Sequence, residues 1–65
     1  NINRNILLQD IPTYSHCIRK NGLLFVSGFY VDDMPMIIGT AMHAGLEYVS
    51  HDSIDNWCCI KFHKR

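Results

Sequence analysis

The sequence predicts a mainly β fold, either a small β-barrel or an α+β arrangement. An N-terminal hairpin is followed by two to three further short strands, with room for one short helix. Three observations predict it. Asn21-Gly22, a pair able to take positive φ at both positions, separates two strand-like segments at 14–20 and 23–31. Ile37, Ile38 and Thr40 supply β-branched residues further on. Residues 57–63 alternate, with Cys58, Ile60 and Phe62 on one side and Trp57, Cys59 and Lys61 on the other.

Taken in order, residues 1–11 are a polar start leading to a short apolar patch. Pro12 disfavours a helical Ile11, so an extended lead-in or an edge strand is expected over 5–9. A two-residue turn at Asn21-Gly22 then fixes the register of the hairpin. It sets Ile18 opposite Phe25, His16 opposite Ser27 and Tyr14 opposite Phe29. Leu24, Val26 and Tyr30 fall on the other side, so both sides of the hairpin are apolar and both need cover. Asp32-Asp33-Met34-Pro35 has the composition of a turn. Over 36–45 a strand is favoured, and a short helix capped by Thr40 and ending at Gly45 is the alternative. Residues 46–50 read as a short strand, 51–56 as a polar turn and 57–63 as the last strand.

Length and composition limit what the chain can be. Its 65 residues make one small domain, 1–65, and a hydrophobic content of 48% is too high for a disordered tail. The apolar runs at 23–26 and 36–38 are far shorter than the roughly 20 residues of a membrane span. No signal peptide is visible. Three cysteines, Cys17, Cys58 and Cys59, are an odd number. The expectation is a reduced, cytoplasmic protein, although a bridge from Cys17 to either of the others is open. A chain this short buries only about 60% of the surface it exposes when unfolded, which makes self-association an attractive stabiliser.

Charge is zero overall but polarised along the chain. Residues 21–60 hold Asp32, Asp33, Glu47, Asp52 and Asp55 and no Lys or Arg. The two ends hold Arg4, Arg19, Lys20, Lys61, Lys64 and Arg65 against Asp10. Net neutrality removes the simplest case for bulk nucleic-acid binding. Metal ligation is not expected, because no C-x-x-C or H-x-x-x-H pair exists and Cys59 and His63 are wrongly spaced for a strand. No cofactor and no catalytic residue is assigned. Phe25, Phe29 and Tyr30 beside Arg19 and Lys20 would make a stacking platform for single-stranded nucleic acid, a possibility kept but not favoured. Trp57 is an expected interface anchor.

The text Pro12-Thr13-Tyr14-Ser15, Asn21-Gly22, Leu23-Leu24-Phe25-Val26-Ser27-Gly28 and Asp32 resembles the opening hairpin of the Rid/YjgF family over about residues 12–33. The resemblance implies a trimeric α/β fold with clefts between subunits in which enamines or imines are hydrolysed. Tyr14, Ser27 and Gly28 would line the cleft. The family's carboxylate-binding arginine has no counterpart here, and the chain is about half the family's length.

The leading expectation for function is a small β-rich binding module of inhibitor or regulator type acting on a protein partner. Its candidate binding residues are Tyr14, Arg19, Lys20, Ser27, Gly28, Phe29, Tyr30 and Trp57. A truncated or inactive Rid-like imine deaminase and a nucleic-acid-binding small β-barrel are the alternatives. Of the oligomeric states, a trimeric homo-oligomer would favour the Rid-like reading and a monomer that captures one protein the inhibitor reading.

Overall fold

The computed structural model describes residues 4–65. Two α-helices and three strands follow in the order α1 (Arg4–Cys17), β1 (Leu23–Tyr30), a single 3-10 turn (Val31–Asp33), α2 (Met34–His43), β2 (Leu46–Ile54) and β3 (Trp57–Lys64). The fold is α+β, not mainly β. The sheet order is β1-β3-β2, and both outer strands run antiparallel to β3. β1 and β2 are therefore parallel to each other. Joined through α2, they form a split β-α-β unit with β3 inserted between them.

The first correction concerns residues 5–20. Residues 5–9 are helical rather than an edge strand, and Tyr14, Ser15 and His16 lie in α1, so the hairpin about Asn21-Gly22 does not exist. Residues 1–3 of the expected lead-in fall outside the described residues. Helix wins here because Leu7, Ile11 and Ser15 recur at every fourth position, and all three are buried. Pro12 sits in the interior of α1 and is exposed. Its missing N–H and the strain on the preceding turn therefore oppose a helix that tertiary burial holds together. Asn21 does take positive φ, at 71°, but in the connection between α1 and β1, past the helix end at Cys17. The Gly22 N–H donates to Arg19 O at 2.9 Å, which closes that turn.

The second correction concerns 32–45. Instead of a turn and a favoured strand, Asp32 and Asp33 belong to the 3-10 turn, and α2 runs from Met34 to His43. Pro35 fits the first helical turn, where its missing N–H costs nothing. Ile37 and Ala41, four apart, point into the core. α2 ends at His43, with Ala44 as its C-cap and Gly45 next at φ 93°. The helix alternative over 36–45 had the right stop, but Thr40 lies inside the helix rather than at its start.

The third correction concerns the second half. β2 continues through the supposed polar turn to Ile54. The two-residue turn with positive φ at both positions lies at Asp55 (50°) and Asn56 (71°), joining β2 to β3. The final strand is as predicted, with Cys58, Ile60 and Phe62 buried on one side.

Both helices cover one face of the sheet. The core joins Leu7 and Ile11 of α1, Val26 and Phe29 of β1, Ile37 and Ala41 of α2, Leu46 of β2, and Cys58, Ile60 and Phe62 of β3. Val26 and Phe29 are three apart on one strand, yet both face inward. Gly28, at φ 89°, forms a bulge that places two β1 residues against one of β3 and returns the following side chains to the opposite side. A matching shift between Tyr48 and Ser50 bends β2. Past Leu46, every residue of β2 is exposed, since the helices reach no further across the sheet.

The end of β3 is tied to the ends of both helices. Buried Ser15 donates through Oγ to Ala44 O at 2.7 Å, and the Lys64 ammonium donates to Ser15 O and Oγ at 2.7 and 2.9 Å. Arg65 donates from its guanidinium to Met42 O at 2.9 Å and from its backbone to Gly45 O at 3.1 Å. Two cations thus sit at two helix C-termini, where the helix dipole favours positive charge. Arg4, at the other end of α1, pairs with Asp33 at 3.2 Å. Three of the six basic residues are therefore used within the fold rather than offered to a charged partner.

Candidate functional site on the open face of the sheet

The face of the sheet turned away from the helices is the candidate site. Strand register arranges it in four rows across β1, β3 and β2. They are Leu23–His63–Glu47, Phe25–Lys61–Ser50, Ser27–Cys59–Asp52 and Tyr30–Trp57–Ile54. Directly paired residues in antiparallel strands project to the same side, so each row is a line of neighbours. The face is mixed, six of its twelve residues being polar or charged, but its large apolar side chains are open: Phe25 is 62% exposed and Ile54 77% exposed, with Leu23, Tyr30 and Trp57 also exposed.

Local contacts order these side chains. The Tyr30 and Trp57 rings stack with centroids 4.5 Å apart and planes at 27°. The Lys61 ammonium lies 5.9 Å from the Phe25 ring centroid, a cation–π distance. His63 Nδ1 and Glu47 Oε1 are 3.0 Å apart at the far end of the face. The third row carries short side chains between two rows of long ones. It floors a shallow depression of about 370 Å³ bounded by Ile54 and Trp57.

The chemistry available there is burial and recognition. All three cysteines are free. Cys58 points into the core, and burial, reinforced by the charge of neighbouring Cys59, raises its thiol pKa above the ordinary value. A raised thiol is a poor nucleophile at neutral pH. Cys59 faces the depression beside Asp52 in its row, while the one histidine on this face, His63, lies two rows away. Among the described residues, no three His, Cys, Asp or Glu side chains group to hold a metal ion.

The sequence-predicted site is only partly assembled. Tyr30 and Trp57 meet, and Ser27 shares their face. Gly28 is the bulge and presents no side chain. Phe29 is 2% exposed and belongs to the core. Tyr14 lies on α1, where it and Ser27 border a groove along the free edge of β1. Arg19 and Lys20 lie in the α1–β1 connection, at the Leu23 end of the strand, the length of β1 away from Tyr30. With Phe29 buried and the two cations distant from Tyr30, the stacking platform for nucleic acid is not built. Ile54, Cys59, Lys61 and Asp52 were missed as site residues. The alternation of 57–63 was the signal for Cys59 and Lys61, but extending it to 52–54 required recognising Asp55-Asn56 as the tight turn.

The chain is 47% identical over 62 residues, 95% of its length, to proteins named ribosomal protein L11 methyltransferase from Phocaeicola vulgatus and Bacteroides fragilis, and 40% identical over the same share to one from Porphyromonas gingivalis. The matched stretch makes up 22%, 22% and 21% of those proteins, so the chain spans about a fifth of the length of the curated relatives it matches. No family model matches the chain. This similarity runs through almost the whole chain and overturns the Rid/YjgF reading, whose likeness covered one supposed hairpin. It likewise overturns the free-standing inhibitor or regulator and the nucleic-acid barrel, since the relatives are named as enzymes. Among the described residues, no helix is long and apolar enough to cross a membrane.

Proposed function

We propose that this chain acts as an edge segment of a ribosomal protein L11 methyltransferase, docked through its open sheet face and the free edge of β1 onto the rest of that enzyme. The observation that carries the reading is that β1 is apolar on both faces while the helices cover only one. In an antiparallel sheet one face can stay in water, but a strand with large apolar side chains on both faces gains from cover on both. The relatives have the mass to provide that cover: 62 residues being 22% of their length puts them at about 280 residues.

The two edges of the sheet differ in the same sense. β2 carries Glu47, His51 and Asp52 and a bend at Val49, devices that discourage pairing. β1, over residues 23–27, is Leu-Leu-Phe-Val-Ser, without a charge or a proline. Such an edge is suited to receive another strand. In this reading the chain's contribution to methyl transfer is architectural, and ribosomal protein L11 is the substrate of the assembled enzyme. An enzyme with that substrate works where ribosomal proteins are, in the cytoplasm, in keeping with three free thiols.

Complementation tests the proposal. The Bacteroides fragilis relative, shortened by the matched stretch, is mixed with this chain, and methylation of purified ribosomal protein L11 is measured. The expected result is restored methylation, reduced at least tenfold by Phe25→Asp or Trp57→Asp, with amide protection gained along β1 and on the open face. A chain that binds ribosomal protein L11 alone through that face, or one whose complementation ignores both charges, would overturn it.

A further inference from the structure

We draw no further inference here: the strongest candidate, the open groove between α1 and α2 lined by Pro12, Met36, Gly39, Thr40 and His43, carries nothing, because nothing in the structure shows what covers it.

Discussion

Gly22 shows how closely one residue can be tied to its surroundings. A Cβ built there would lie 2.5 Å from Ile18 Cγ2 and 2.9 Å from the carbonyl oxygen of Arg19. The side-chain atom can move, but the backbone oxygen cannot without reopening the turn between α1 and β1. Gly22→Ala is therefore expected to cost roughly 1–3 kcal/mol, the usual range for overpacking, and to lower the midpoint of a urea titration. Cys58 makes a second case at this scale. Its thiol pKa is raised first by burial and then by the charge of Cys59. With the folded value above the unfolded one, the stability this thiol contributes is full below the ordinary thiol range. It is lost as pH rises through that range, because only the unfolded thiol then ionises. Titration with a thiol reagent at neutral pH should label exposed Cys17 and leave Cys58 unreacted until the chain unfolds. Early labelling of Cys58 would show that its side of the sheet is not closed.

At the level of elements, α1 and the β2–β3 turn show where local and tertiary preferences part. Pro12 is a local argument against helix. The interior cost of proline is about 3 kcal/mol, against which the sequence places Leu7, Ile11 and Ser15 on one stripe. Pro12 faces solvent, so Pro12→Ala restores a backbone donor without disturbing packing. After allowing about 1 kcal/mol for the greater freedom of the unfolded chain, it should stabilise the protein by about 2 kcal/mol. Circular dichroism should report more helix and a higher melting temperature, and an unchanged or lower one would count against a continuous α1. The misplaced hairpin has the same origin. Asn-Gly is the stronger tight-turn signal, yet Asn21 lies in a turn that joins a helix to a strand, and the less typical Asp55-Asn56 makes the two-residue hairpin turn. Turn chemistry was legible at both places. Which elements each turn joined was not, because that depends on what packs across it.

For the molecule as a whole, the sequence told most where one strand buries one face, and least where burial comes from long-range packing. β3 reads directly because Cys58, Ile60 and Phe62 alternate with half-exposed neighbours. β1 does not, because the Gly28 bulge shifts its alternation and places Phe29 in the core, so the predicted binding face mixed buried and open residues. β1 does carry apolar side chains on both sides, Leu24, Val26 and Phe29 inward and Leu23, Phe25 and Tyr30 outward, although it is not half of the expected hairpin. The structure supplies the helices on one side only, and this division makes a prediction that separates folding from docking. Phe62 and Ile37 are fully buried, and replacing either with Ala should cost about 2–5 kcal/mol, enough to unfold much of a domain this small. Phe25 and Ile54 lie open on the far face, so Phe25→Lys combined with Ile54→Lys should leave the denaturant midpoint of the chain within the roughly 0.5 kcal/mol typical of surface changes. The same pair of lysines should weaken binding of an apolar dye and any self-association seen by light scattering, since each replaces an open apolar side chain with a charge. If the double variant unfolded the chain instead, the open face would be part of its own core, and the division between the covered and the docking side would fail.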